Sequence, residues 1–190
     1  MVGVFLDRDG VINRNVYYRD TEEWESPRRP NDFRLHKGVL EALSELQAAE
    51  FLLFLVSNQP SHAKGKMSMV DFQETHARFV ALLEARGVFF REFFYCLHHP
   101  KGIVPGLSGP CDCRKPSPHF LFKAREIHGL DFADCWLVGD RDSDIACGQA
   151  AGVRTIQVDL DHPGAKAGQS IPTFKARDLA HAVALILGHP

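Results

Sequence analysis

The chain of 190 residues lacks an excess of charge of either sign: Lys and Arg number 22 against 24 Asp and Glu, a net −2. Without a basic surplus there is no electrostatic case for nucleic acid or an anionic membrane as a partner. Long apolar runs are missing as well. Phe51–Val56 is a sustained one, far short of the ~20 residues that a spanning helix needs. Met1-Val2-Gly3-Val4-Phe5-Leu6 runs straight into Asp7 with no basic segment, so no signal peptide is expected. Repeats, low-complexity tracts and long linkers are absent too. Hydrophobic residues at 45% and charged residues at 24% exclude disorder, collagen and coiled coil. A single domain over residues 1–190, monomeric and cytoplasmic, is the expectation.

Alternation is what the chain does contain. Val2–Leu6, Phe51–Val56, Phe89–Cys96, Cys135–Val138 and Val153–Val158 read as buried strands. Helical spacing lies between them. Val39, Leu40, Leu43 and Leu46 share a face within Lys37–Ala49. Ser68 caps a helix with Phe72, Phe79, Val80 and Leu83 inward and Gly87 after it. Ser117-Pro118 opens a helix with Leu121, Ala124 and Ile127 inward. Ser143 starts a short helix that stops at Gly152, and Arg177–Leu187 is the last. Strands alternating with helices predict an α/β fold, a doubly wound parallel sheet covered on both faces. Ligands in such sheets bind beyond the carboxyl ends of the strands. Polar residues just after a strand are therefore the candidates.

The first strand ends in Asp7-Arg8-Asp9-Gly10, the second in Ser57-Asn58-Gln59, the fourth in Gly139-Asp140-Arg141-Asp142-Ser143-Asp144. Each alone reads equally as a polar turn. Together, Asp7, Asp9 and Asp140 supply hard oxygen ligands that suit Mg²⁺. Arg114-Lys115-Pro116-Ser117 adds cations before a helix N-terminus, where anions are welcome. A hydroxyl, an ammonium, amide donors and a carboxylate cluster are the equipment for phosphoryl transfer.

These residues resemble the motifs of the haloacid dehalogenase superfamily of phosphatases, in order and over nearly the whole chain. Phe5-Leu6-Asp7-Arg8-Asp9-Gly10-Val11-Ile12-Asn13 is similar to motif one, Ser57 to motif two, Lys115 to motif three, and Gly139-Asp140 with Asp144 to motif four. The resemblance implies that Asp7 is the nucleophile and Asp9 the general acid and base. It implies Mg²⁺ on the Asp7 carboxylate, the Asp9 carbonyl and Asp140. Ser57 and the Asn58 amide would hold phosphate oxygens, and Lys115 would neutralise charge. Asp144 would orient either Lys115 or a metal-bound water.

Cys96-Leu97-His98-His99 follows the third strand, and Cys111-Asp112-Cys113 comes after a Gly- and Pro-rich loop. Cys96, His98, Cys111 and Cys113 make a closed Cys₃His set, typical of structural zinc, with the loop over about 96–113. His99 is a neighbouring competitor to His98. Cys135 and Cys147 read as core.

The zinc loop resembles one branch, the heptose bisphosphate 7-phosphatases and the related histidinol-phosphate phosphatases. Paired His98-His99-Pro100 looks like the heptose enzymes, Gly139-Asp140-Arg141 rather like the histidinol enzymes. Pro60-Ser61-His62-Ala63-Lys64-Gly65 departs from the Ser-Gly-Ile-Ala-Arg-Gly of the heptose branch, and Arg14–Pro30 is longer and more aromatic, with Tyr17, Tyr18 and Trp24; both stretches are expected in loops that face the substrate. No interval between motifs has room for a separate cap domain. An open site suits a small phosphorylated metabolite. Arg114, Lys64, His62 and Arg141 are the candidates to contact its remaining groups, with solvent exposure as the alternative for His62 and Lys64.

Overall fold

A computed structural model describes residues 1–159 and 168–189. Six strands form one parallel sheet: β1 (Gly3–Leu6), β4 (Leu52–Asn58), β5 (Phe90–Cys96), β6 (Trp136–Gly139), β7 (Arg154–Val158) and β8 (Phe174–Ala176). A small antiparallel hairpin, β2 (Val16–Tyr18) with β3 (Glu23–Glu25), stands apart. The helices are α1 (Val39–Ala48), α2 (Met69–Glu84), α3 (His119–His128), α4 (Asp142–Ala151) and α5 (Leu179–Gly188).

The sheet order is β5-β4-β1-β6-β7-β8. The chain winds outward from β1 in one direction, then returns to β6 on its other side and winds the opposite way. The crevice beyond the carboxyl end of β1 is thus the switch point where such folds bind ligands.

Period-two alternation sends side chains into two cores. Val4 and Leu6, Leu53 and Leu55, and Trp136 and Val138 face the layer of α1, α2 and α5, whereas Phe5, Phe54, Val56 and Leu137 face α3 and α4. Strands with both faces buried show the near-continuous apolar runs read from sequence. Asp71 N–H donates to Ser68 Oγ at 3.0 Å, so Ser68 caps α2 as its spacing predicts.

Three sequence readings change. In α3 the inward face is Leu121 and Ala124, followed by His128, whose ring lies 5.2 Å from that of Phe54, while Ile127 is 54% exposed. Strand β8, Phe-Lys-Ala at the sheet edge, is too short for a periodic signal. The hairpin within Arg14–Pro30 pairs Tyr17 with Trp24 and Tyr18 with Glu23. Its charged second strand hid the pattern, although Val16-Tyr17-Tyr18 are strand formers. Among the described residues no helix is long and apolar enough to cross a membrane, and no cap unit of sheet and helices interrupts the fold.

Candidate active site

Strand β1 stops where Asp7 begins. The Asp7 N–H donates to the carbonyl of Val138 at 3.0 Å, which ties the end of β1 to the end of β6. Asp140 follows β6 and so comes against the first turn. Gly10, at φ 88°, is what lets it approach: a Cβ there would lie 2.3 Å from Asp140 Oδ2. Asp7, Asp140 and Asp144 offer carboxylate oxygens within 4.8 Å of one another, and all three side chains are buried.

Lys115, 3% exposed, penetrates this cluster. Its Nζ lies 2.9 Å from Asp7 Oδ1 and 2.6 Å from Asp144 Oδ1, and it donates to the carbonyl of Val56 at 2.6 Å. The ammonium thus sits among two carboxylates and one carbonyl, which compensate its burial. Burial lowers the Lys115 pKa, but Asp144 and Asp7 outweigh it and raise the value above the ordinary one. Asp144 also accepts the Arg141 N–H at 2.9 Å, closing a capping box on α4. Of the two roles open to Asp144, its ion pair with Lys115 fits the first.

Asp140 differs from its neighbours. Both of its carboxylate oxygens are buried without a hydrogen-bond partner. Burial, then Asp7 and Asp144, raise its pKa well above the usual carboxylate range. Orphaned buried oxygens of this kind call for an explanation, and the oxygen-donor chemistry of Asp7 and Asp140 fits a hard divalent cation. The sign of the shift makes a prediction. A carboxyl whose pKa is raised on folding destabilises the protein while ionised, and that cost disappears as pH falls below the raised value. A cation removes the same cost. Mg²⁺ should therefore raise Tm at neutral pH and raise it progressively less in acid. Thermal melts with Mg²⁺ and with EDTA across this range test it. An equal increment at every pH, or none, would count against Asp140 as a ligand.

Asp9 is 4% exposed and belongs to another network. Its carboxylate accepts from Arg8 Nη2 at 3.1 Å, from Asn13 Nδ2 at 2.9 Å, and from Gln59 Nε2. Burial raises its pKa. Arg8, then hydrogen bonds from Asn13, Gln59 and Ser26, outweigh that and hold it below the usual range. Gln59 Nε2 also donates to Ser57 Oγ at 3.0 Å. Arg8 and Gln59 are functional neighbours that the sequence reading passed over. Their signal was position alone, one residue from Asp7 and two from Ser57.

A cleft opens above Asp7. Asn58, Lys64, Arg114 and Arg141 line it, together with Asp9, Lys115 and Asp144. The Asn58 side chain is committed to the Lys115 backbone, accepting its N–H at 3.0 Å and donating to its carbonyl at 3.1 Å. His62 is not among the lining residues; its Nδ1 lies 2.9 Å from the Met67 carbonyl, so the ring braces the 60–67 loop from within. The segment Arg14–Pro30 forms a further wall, as its expected place facing the substrate requires: its hairpin and the residue after it contribute Glu23, Trp24, Glu25 and Ser26. Lys66 joins the two sides through an ion pair with Glu25. Tyr17 and Trp24, the aromatic excess visible in Arg14–Pro30, lie 5.6 Å apart across the hairpin.

Cys96, His98, Cys111 and Cys113 converge beside this cleft. Sγ distances from Cys111 to Cys96 and Cys113 are 3.6 and 3.7 Å, Cys96 and Cys113 are 3.2 Å apart, and His98 Nδ1 is 3.6 Å from Cys113 Sγ. A tetrahedron with Zn–S bonds of about 2.3 Å has edges of about 3.8 Å. The donor set and its dimensions thus fit zinc. The competing His99 turns elsewhere, its Nδ1 accepting the Lys101 N–H at 3.1 Å. Arg114 Nη1 donates to the His98 carbonyl at 3.2 Å. The Ile103 N–H donates to the Ala63 carbonyl at 2.7 Å, clasping the zinc loop to the loop that carries Lys64.

Comparison with known proteins agrees with this arrangement. A family model described as HAD-hydrolase-like matches residues 112–182. The chain is 36% identical over 189 residues to the D-glycero-beta-D-manno-heptose-1,7-bisphosphate 7-phosphatase of Vibrio cholerae, covering 94% of each chain. It is also 36% identical over 160 residues to the D-glycero-alpha-D-manno-heptose-1,7-bisphosphate 7-phosphatase of Photorhabdus laumondii, covering 84% of this chain and 83% of the relative. Among solved structures, the D,D-heptose 1,7-bisphosphate phosphatase of B. bronchiseptica, complexed with magnesium and phosphate, superposes with a TM-score of 0.82 at 26% identity and 100% coverage of both chains.

Proposed function

The chain belongs to the haloacid dehalogenase-like phosphatases, and from that premise we propose that it removes the 7-phosphate of D-glycero-D-manno-heptose 1,7-bisphosphate. The observation that carries this reading is the buried cluster of Asp7, Asp140, Asp144 and Lys115 at the ends of two adjacent strands, beneath a cleft with Lys64, Arg114 and Arg141 in its walls.

Asp7 attacks phosphorus as its ionised carboxylate. Burial opposes that ionisation, and Lys115 at 2.9 Å favours it. As the oxygen–phosphorus bond forms, the bond to the sugar oxygen breaks, and the Asp9 carboxyl gives that oxygen its proton. The Asp9 carboxylate then takes a proton from the water that attacks the aspartyl-phosphate, releasing phosphate and the Asp7 carboxylate. Arg8 and its companions hold Asp9 in the form needed for this second half. The negative charge of an arriving phosphate shifts it toward the protonated form needed for the first. Ser57 and the Asn58 backbone amide hold phosphate oxygens. Mg²⁺ would sit on the carboxylates of Asp7 and Asp140 and the carbonyl of Asp9, and when bound it offsets repulsion between Asp7 and the phosphate.

Zn²⁺ would be held by Cys96, His98, Cys111 and Cys113, which leave no open position for chemistry. A cytoplasmic setting keeps these thiols reduced. Arg114 follows directly on Cys113 and is braced on His98, so it meets the substrate already positioned. It grips the second phosphate of the bisphosphate. Charge-assisted bonds of this kind contribute ~1.5–3 kcal/mol, so Arg114→Ala should lower kcat/KM for the bisphosphate by roughly tenfold to a hundredfold and affect a monophosphate much less. Equal losses on the bisphosphate and on p-nitrophenyl phosphate would remove that role. The overall test compares kcat/KM on both anomers of the heptose bisphosphate, on histidinol phosphate and on a 3′-phosphorylated oligonucleotide. Preference for either of the last two would overturn the assignment in favour of that substrate.

A further inference from the structure

Gln59 is 2% exposed and stands between Asp9 and Ser57. Its amide has one orientation, because Arg8 dictates it. Arg8 is fully buried, and its Nη2 lies 2.8 Å from Gln59 Oε1. A guanidinium donates and never accepts, so the amide oxygen must face Arg8 and the amide nitrogen must face the other way. The two protons on that nitrogen go to Asp9 Oδ2 and, at 3.0 Å, to Ser57 Oγ.

This settles a question that a lone serine leaves open. A hydroxyl has one proton and two acceptor positions, and it rotates to suit its partners. Ser57 is held in place by β4, where it pairs with Tyr95 of β5, so only the rotor is free to vary. Because Ser57 accepts from Gln59, its single proton points away from Gln59 and is available to a further acceptor. We propose that Gln59, locked by Arg8, is a positioning residue that makes Ser57 a committed donor to the substrate phosphate. The same amide holds Asp9, so the phosphate anchor and the acid–base group share one rigid bracket. A glutamate in its place would present oxygen to Ser57, draw the hydroxyl proton toward itself and leave a lone pair facing the phosphate.

The inference rests on the phosphate-binding reading of Ser57, and a double-mutant cycle separates the two. The probe is inorganic phosphate, read as its inhibition constant against p-nitrophenyl phosphate. The inhibition constant reports phosphate affinity separately from the rate of turnover, which Asp9 also affects. Loss of one oriented hydrogen bond to a charged group corresponds to about tenfold in affinity. With Ser57 present, Gln59→Met should raise the inhibition constant about tenfold. In a Ser57→Ala background the same change should have an effect below about twofold, since no hydroxyl is left to orient. If Gln59→Met fails to fold, Gln59→Glu serves: the repulsion of its charge appears in both backgrounds, and an excess loss appears only with Ser57. Equal effects in both backgrounds would overturn the bracket and leave the phosphatase reading standing. A Ser57→Ala protein that binds phosphate as tightly as wild type would remove the phosphate role of Ser57, and this inference with it.

Discussion

Asp7→Asn should reduce turnover to background while the protein stays folded. The amide keeps the shape of the carboxylate but cannot form the acyl-phosphate bond. Its effect on stability is small because two changes oppose each other. Lys115 loses one partner but keeps Asp144 and the Val56 carbonyl, while the repulsion of Asp7 by Asp144 and Asp9 disappears. Asp9→Asn should behave differently. Loss of a general acid or base costs about 10²–10⁴-fold on an alkyl phosphate, whose leaving oxygen needs the proton. With p-nitrophenyl phosphate the leaving phenolate needs none, so the first transfer proceeds and the second stalls. A rapid-mixing trace should then show a burst of about one nitrophenolate per chain. Steady turnover by Asp7→Asn, or Asp9→Asn lacking both burst and steady-state loss, would refute the aspartyl-phosphate route.

Protein purified without added zinc should carry one tightly held zinc per chain, and Cys111→Ser should lose it along with most activity. Thiolate and imidazole select zinc, whereas the carboxylate pair selects magnesium, so EDTA dialysis followed by Mg²⁺ cannot restore what the substitution removes. Structural zinc contributes on the order of 10–16 kcal/mol in small domains that fold only with metal. The effect here is more local, because the sheet has two apolar cores of its own. What depends on the metal is the loop from Cys96 to Cys113 and the two cations after it. Arg114 leans on the carbonyl of His98. Lys115 must reach Asp7 through the core, and a loop free to move releases it. The loop is also clasped to Ala63, so Lys64 and Lys66 would lose order as well. Metal analysis and thermal melts of both proteins decide the matter. Substoichiometric zinc, with Cys111→Ser melting and turning over like wild type, would remove the zinc assignment.

Local patterns carried most of the architecture. Five strands and five helices follow from alternation, helical spacing and caps, since each is set by neighbours within a few residues. The candidate site was legible for a related reason: in a parallel sheet every strand points its carboxyl end to the same edge, so Asp7, Ser57 and Asp140 share that edge. Sequence spacing also singled out the three thiols and His98, with His99 as its competitor. The fold separates the two, because neighbouring side chains on an extended loop point in different directions. Strand order was likewise a tertiary matter. Hydrogen bonding of β1 to β6 brings residues 4–6 beside 136–138, which sets Asp140 rather than a closer acidic residue against Asp7. The same packing gave Lys115 to both Asp7 and Asp144, turned His62 inward and raised a hairpin over the cleft. It also made Arg8, Gln59, Asp9 and Ser57 one network. Partners such as Arg8 and Gln59 are 51 positions apart, and a spacing of that kind carries no periodic signal. Only burial, which forces each donor to find an acceptor nearby, chose them.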